Sequence, residues 1–395
     1  MGLTSIRVDA MTPGVDRFCR SLNWGLIIRL CLASLCLILF SSGSDGAVRY
    51  LETLSDLQMV TIDNRRGSVY AAGTNVVYRF DLFLGQVLNA SKTGPERGQC
   101  KQLTGECSNE ARILERIPNS ESLLFCGSGR YGLCAVIDMQ SMNVTELDSS
   151  NRLSYSGGKE SVCGFFSQSL ANGPLKLAVL YVAGSYDGRP PNVSSSSASS
   201  ISALLLEKRR GPSFSLRYHF TDGLTKSALE IGPNLRSNYD VRYIYGFEHK
   251  GFTYFLTVQR EYLASESLYE TKLARVCQQD SGFFSYTEIS LACRKIGMSP
   301  PFYNIALSAH MSTPGWELGQ KLRLSPDEKV LYVIFGQSVP NHSSAVPANG
   351  SALCLYNMSD VRKEFTAAQV ACYRGSGRLL PWINPNEPPC KMNVS

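Results

Sequence analysis

Histidine and tryptophan are scarce in this chain and charge is thin: 395 residues include four histidines, three tryptophans and 18% charged side chains. His219, His249, His310 and His342 are scattered, and no cysteine pair has C-x-x-C spacing and no histidine pair H-x-x-x-H spacing. That excludes the usual zinc sites. No serine or cysteine sits in a recognisable strained turn as a nucleophile would, so covalent catalysis has no obvious agent. The net charge of +6 is spread over 39 basic and 33 acidic side chains, too dilute for a nucleic-acid surface, which gathers charge into a stripe or tail. Beyond the N-terminal segment there is no apolar run near the roughly 20 residues that span a bilayer. Global disorder is excluded as well, because 44% of the residues are hydrophobic and the length suffices for one large domain or two of average size.

Cysteine, by contrast, is plentiful at thirteen, and the N-terminus says where it is used. Arg17 and Arg20 precede an apolar run from Leu30 to Phe40, followed by Ser41-Ser42-Gly43-Ser44. This is the pattern of a secretory signal peptide over residues 1–44; a signal anchor is the rival reading, but the run is short for a span. Cleavage there removes Cys19, Cys31 and Cys36, four arginines and two aspartates, leaving ten cysteines and a net charge of +4. Seven glycosylation sequons follow, at Asn89, Asn143, Asn192, Asn341, Asn349, Asn357 and Asn393, which fits export and expects each of these residues on a loop or outward face. In an oxidising compartment the ten cysteines form a disulfide framework. Cys126 and Cys134 bracket a hairpin-like stretch, and Cys100 and Cys107 close a short polar loop.

From about Leu54 the chain reads as short strands between Gly- and Asn-bearing turns: 57–62, 68–72 and 76–80, then 123–127 with 133–138, and 177–184. Further units are 201–206, 252–258 with 272–276, and 330–336 with 352–356. Alternation over four to eight residues with such punctuation is the signature of strands and hairpins. Aromatic markers recur at Tyr70, Phe125, Tyr181, Tyr254 and Tyr332, spaced 55, 56, 73 and 78 residues apart. Repeated antiparallel units of blade size predict a β-propeller with long insertions rather than a sandwich. One helix is expected, with Ser359 or Asp360 as its N-cap and Val361, Phe365 and Ala368 on one face. Asp187 to Ser200, with its serine run, reads as an internal loop.

Three local motifs invite chemistry and are read as structure. Gly127-Ser128-Gly129-Arg130-Tyr131-Gly132 spells G-x-G-x-x-G, but a dinucleotide site needs a helix after it, and the apolar stretch that follows reads as a strand. Gly157-Gly158-Lys159 lacks the first glycine of a phosphate loop. Lys208-Arg209-Arg210 is an exposed strand end or, less favoured, a processing site. No cofactor or metal is expected. Paired carboxylates of a propeller glycoside hydrolase are the enzyme alternative, because acid and base on such a fold need not be close in sequence; no repeated aspartate-rich turn or arginine cluster supports them.

Several segments taken in order resemble the Sema domain of plexins, the cell-surface receptors for semaphorins. They are Thr93-Gly94-Pro95 leading to Cys100, Cys126-Gly127-Ser128 to Gly132-Leu133-Cys134, Tyr243 to Arg260, and Leu273-Ala274-Arg275-Val276-Cys277. Ser285-Tyr286-Thr287-Glu288 with Cys293, Ser351-Ala352-Leu353-Cys354, and Cys372-Tyr373-Arg374-Gly375-Ser376-Gly377 followed by Leu380-Pro381-Trp382 complete the series. The resemblance covers residues 47–395. It implies an all-β fold, a seven-bladed propeller incomplete at its C-terminal end, and the pairs Cys100–Cys107, Cys126–Cys134, Cys293–Cys354 and Cys372–Cys390. Cys163 and Cys277 stay unassigned: either they pair with each other, or Cys277 lacks a partner that plexins carry further along. The resemblance also implies a semaphorin as protein partner and the outer face of the plasma membrane as the site of action, with self-association or a co-receptor in addition. A scatter-factor receptor tyrosine kinase ectodomain, which shares the domain, and a secreted semaphorin-like ligand are the neighbouring alternatives.

Overall fold

A computed structural model describes residues between 56 and 374, leaving out 82–86, 95–107, 133, 148–160, 169–177, 186–198, 209–213, 222–225, 232–234, 236–238, 261–267, 281, 294–302, 326, 340–343 and 349. The signal peptide, Cys100, Cys107, Cys390, Asn192, Asn341, Asn349, Asn393, His342, Gly157-Gly158-Lys159 and Arg209-Arg210 therefore lie outside the described residues.

The described strands form five antiparallel sheets, each following chain order. Sheet 1 contains β1 (Leu57–Asp63), β2 (Ser68–Gly73), β3 (Val76–Asp81) and β4 (Val87–Lys92). Sheet 2 contains β5 (Ala111–Arg116), β6 (Ser122–Gly127), β7 (Cys134–Asp138) and β8 (Val144–Glu146). In sheet 3, β9 (Val162–Gln168), β10 (Ala178–Gly184), β11 (Ser199–Lys208) and β12 (Phe214–Tyr218) run in order, and β13 (Ala228–Glu230) also pairs with β11. Sheet 4 contains β14 (Val241–His249), β15 (Phe252–Arg260), β16 (Tyr269–Cys277) and β17 (Thr287–Leu291), and sheet 5 contains β18 (Tyr303–Ser312), β19 (Val330–Gln337) and β20 (Ser351–Asn357). Three helical segments interrupt them: α1 (Gly129–Gly132), α2 (Trp316–Lys321) and α3 (Met358–Tyr373).

Two compact units are present. One holds sheets 1 to 3 together with residues 278–283; the other holds residues 231–277 and the described residues from 284 onward, hence sheets 4 and 5 and α3. Within the first unit, the opening strands β1, β5 and β9 lie side by side. Alternation then sends each strand's side chains to two different neighbours. Leu123 and Phe125 of β6 pack toward sheet 1 with Tyr70, Ala72 and Val77. Leu124 and Cys126 of the same strand pack toward sheet 3 with Leu180, Val182 and Leu204. A strand covered on both faces has no reason to be polar, and β6 is buried along nearly its whole length.

The five aromatic markers all fall on the second strand of a sheet: Tyr70 on β2, Phe125 on β6, Tyr181 on β10, Tyr254 on β15 and Tyr332 on β19. The repeat unit read from the sequence is one sheet. Turn chemistry sets the register at the hairpins. Lys250 (φ 47°) and Gly251 (φ 82°) both take left-handed backbone between β14 and β15, the two-residue turn whose twist matches the flanking strands.

The helix starts earlier than the sequence suggests. Its N-cap is Asn357, whose Oδ1 accepts a hydrogen bond from the Ser359 amide at 3.0 Å, in place of Ser359 or Asp360. Asn is as good a cap as either, and β20 delivers the chain in extended form up to that residue, so the first side chain able to cap takes the role.

Candidate recognition platform

Helix α3 is the longest helix among the described residues, and it is held on sheets 4 and 5 by two different means. Apolar Met358, Val361 and Phe365 are fully buried against the sheets, and Phe365 meets Tyr254 edge-on with ring centroids 5.9 Å apart. Arginine supplies the rest. The Arg275 guanidinium on β16 lies between the rings of Phe252 and Phe365, 4.4 Å from each centroid, and its Nη2 donates to Gln369 Oε1 at 3.1 Å. A planar, weakly hydrated cation suits such a slot where an ammonium would not.

At the other end of the helix, Arg362 Nη1 donates to His249 Nε2 at 2.8 Å. His249 must therefore be neutral, with its own proton on Nδ1. Burial first, then the Arg362, Lys250 and Lys329 charges, lower its pKa to about 4. Glu328 balances the cluster, with Arg362 at 3.7 Å and Lys250 at 3.9 Å. The outward face of α3 keeps Lys363, Thr366, Val370 and Tyr373 exposed. A helix clamped from beneath and presenting an aromatic and an aliphatic side chain to water can contact another protein. The sequence reading gave no role to Arg275, Arg362 or His249, because their contacts join strands to a helix 94 to 113 positions further along the chain.

The residues that might have carried chemistry are dispersed or already occupied. His219 ends beyond β12, His249 ends β14 and His310 lies on β18, three different sheets. Burial lowers the pKa of His219 and His310 as well. The partly buried carboxylates Glu270 and Glu288 both face Lys272, at 3.8 and 3.3 Å, which holds them in an ion triad. Among the described residues no cluster of three or more His, Cys, Asp or Glu could hold a metal ion.

The G-x-G-x-x-G string turns out to serve Asn109. Asn109 donates its Nδ2 to Thr93 O at 2.7 Å, accepts from Gly129 N through Oδ1 at 2.8 Å, and donates its backbone amide to Asn75 Oδ1 at 2.7 Å. A Cβ at Gly127 would overlap that carboxamide, and one at Gly129 would press on it at 3.0 Å. The glycines let the backbone approach an asparagine side chain, and α1 is a single helical turn leading back into β7.

Comparison with known proteins now bears on this architecture. The Sema domain family model matches residues 311–393. Plexin-A3 of Homo sapiens is 29% identical over 368 residues, covering 86% of this chain and 19% of its own length. Plexin A3 of Danio rerio is 28% identical over 367 residues, covering 85% of this chain and 19% of its own. Among solved structures, the full extracellular region of plexin A4 superposes with a TM-score of 0.68 at 24% identity, over 86% of this chain and 38% of that one. Over some 85% of its length the chain is similar to plexins, and within it residues 311–393 match the Sema domain.

The five sheets are thus five blades of a β-propeller, and the chain spans about a fifth of the length of the curated plexins it matches. Two disulfides join described residues of the Sema domain. Cys126–Cys134 ties directly opposed residues of β6 and β7, and Cys293–Cys354 ties a residue just past β17 to β20 across a sequence separation of 61. Cys372 on α3 is disulfide-bonded too, and its expected partner, Cys390, is outside the described residues. Cys163 and Cys277 carry free thiols, so of the two possibilities left open the mutual pair is not formed. Burial and then the neighbouring Glu115 push the Cys163 thiol up to about 12, which makes it inert. Of the sequon asparagines, Asn89 and Asn143 are exposed, while Asn357 is half-buried with its carboxamide oxygen capping α3. No helix among the described residues is long and apolar enough to cross a membrane.

Proposed function

We propose that this chain is the extracellular ligand-recognition domain of a plexin-like receptor, and that it binds a semaphorin. Residues 1–44 act as the signal peptide and residues 47–395 as the Sema domain, whose complete form is a seven-bladed propeller. It works by protein–protein recognition on a disulfide-pinned scaffold at the outer face of the plasma membrane, without catalysis, and brings receptor chains together to start guidance signalling. The observation that carries this reading is the alignment with plexins over some 85% of the chain, joined to the fold shared with the plexin A4 extracellular region.

The test is direct. The protein is secreted from animal cells, captured on a biosensor and exposed to a panel of purified semaphorins from each class. Saturable binding of at least one, weakened by Tyr373→Ala on the outward face of α3 or by unlabelled competitor, is the expected result. Failure of every semaphorin to bind would remove the proposal.

A further inference from the structure

Of all the outer strands, β4 has the least cover: every residue but Ser91 is exposed. Two of its side chains are Val87 and Leu88, 44% and 43% exposed, and Val144 on β8 of the adjacent sheet is 37% exposed. Leu88 is the extra residue of a bulge, since Phe80 opposes Val87 and Arg79 opposes Asn89. An edge strand offers unpaired backbone groups to any second chain, and apolar side chains on such an edge make pairing favourable. Charged residues are the usual protection. Here Lys92, at the far end of β4, is its single basic residue.

What flanks the apolar residues is a pair of glycosylation sequons. Asn89 follows Leu88 directly, and Asn143 directly precedes Val144; both asparagines are exposed. The structure brings them together. Asn89 Nδ2 donates to Ser141 O at 3.2 Å, two residues before Asn143. The same turn is tied to sheet 1 by Arg79 Nη1, which donates to Gln140 O at 3.2 Å, and by Ser91 Oγ, which donates to Met142 O. Two sequons 54 positions apart in sequence thus open onto one patch, and that patch holds three exposed aliphatic side chains.

From this juxtaposition we infer that N-glycans on Asn89 and Asn143 together cover the apolar outer edge of sheets 1 and 2 and keep β4 from pairing with a second copy of the chain. In each transfer, Nδ2 bonds to the anomeric carbon of a lipid-linked oligosaccharide, the lipid diphosphate leaves, and Nδ2 gives up one of its two protons. Asn89 Nδ2 therefore carries its sugar beside the 139–143 turn that leads into Val144. Ser91, the hydroxyl residue of the Asn89 sequon, is 6% exposed in the folded protein. Its transfer therefore precedes the closing of β4 on the 139–143 turn. The inference depends on passage through the secretory pathway and is indifferent to which ligand the domain binds, so failure to bind semaphorins leaves it standing.

Glycopeptide mass spectrometry of the full chain secreted from animal cells is the first test, with occupancy expected at both sites; an unmodified Asn89 or Asn143 overturns the inference. The second compares wild type, Asn89→Gln, Asn143→Gln and the double variant by light scattering and by binding of an apolar dye. The double variant is expected to self-associate and to raise dye binding several-fold, with each single variant between. Adding Val87→Lys and Leu88→Lys to the double variant should return it to a monodisperse species with wild-type dye binding. A double variant indistinguishable from wild type overturns the inference. If the double variant is not secreted at all, recovery of secretion by the two lysines supports the inference and failure to recover overturns it.

Discussion

In sheet 4, β15 and β14 are neighbours made of different material. Seven consecutive residues of β15, from Thr253 to Gln259, are buried, and the stretch Tyr254-Phe255-Leu256 is almost wholly inaccessible. On β14, buried and partly exposed residues mix, and the strand ends on His249. The contrast recurs. Second strands β2, β6 and β10 are buried nearly throughout, whereas several first strands carry an acid, thiol or imidazole whose pKa burial shifts: Glu115 on β5, Cys163 on β9, His249 on β14 and His310 on β18. A second strand lies inside its own sheet with strand partners on both sides, so hydrophobic burial selects its residues. A first strand has a strand partner on one side only, and polar side chains are tolerated on it when they find partners. Stability and charge response should therefore separate by strand position.

The largest test of that separation sets Tyr254→Ala against Leu88→Ala. Removing a fully buried aromatic that stacks on Phe247 at 4.9 Å and meets Phe365 should cost about 3–5 kcal/mol in chemical denaturation. The same truncation on outer strand β4, made with both glycans in place, should cost under about 0.5 kcal/mol. Equal costs at the two positions would erase the distinction.

Disulfides sharpen the comparison next. Cys293–Cys354 closes a 61-residue separation and Cys126–Cys134 one of eight. By loop-closure entropy, paired serine substitutions should cost about 4 kcal/mol at the first and about 2.5 kcal/mol at the second. Denaturant midpoints of the two double variants give the order; a reversed order would mean that native packing around the hairpin outweighs the entropy of the unfolded chain.

His249 tests the first strands through pH. Its pKa falls from 6.5 unfolded to about 4 folded, so the folded protein binds fewer protons, and stability is lost as pH drops from about 6.5 toward 4. Protonation sets an imidazolium against Arg362, Lys250 and Lys329, of which Arg362 and Lys250 lie beside Glu328. By pH 5 the loss attributable to this residue should be about 1–2 kcal/mol. His249→Gln, whose amide oxygen can still accept from Arg362, should flatten the stability profile across that window while leaving stability at pH 7.4 nearly unchanged. An unaltered profile would remove His249 as the source.

How legible was all this in the residues? Strands β2, β6, β10, β15 and β19 announce themselves, because burial on both faces leaves an aromatic among continuous apolar residues. Strands β4, β5, β8, β9, β12, β13, β14, β17 and β18 do not stand out in the sequence; in β4, Val87-Leu88-Asn89-Ala90-Ser91-Lys92 has no alternation to read when nearly every side chain meets water. The clamp on α3 was invisible for another reason. Arg275 and Arg362 are ordinary surface residues in sequence and become a sandwich and a clamp only when β16, the β14–β15 turn and the helix converge. Recognition surfaces, and the pairing of sequons far apart in sequence on one patch, belong to that second, less legible class, which is why the resemblance to plexins contributed more to function than periodicity did, and periodicity more to fold.

Glu115 gives the smallest and most selective test. Burial pushes its carboxyl up to about 8 from an ordinary 4.5, and it sits beside the Cys163 thiol on the neighbouring first strand. The sign is opposite to that of His249. A carboxyl whose folded pKa is raised supports the fold fully below about pH 4.5, and that support is lost as pH rises through 8. Glu115→Gln mimics the protonated acid at every pH. It should be indistinguishable from wild type at pH 4.5 and more stable by about 1 kcal/mol at pH 8.5, the modest size reflecting water's partial access to the side chain. Thermal melts at the two pH values decide it: a variant less stable than wild type at pH 8.5 would show that the ionised carboxylate has a partner and that first strands satisfy their charges as completely as second strands exclude them.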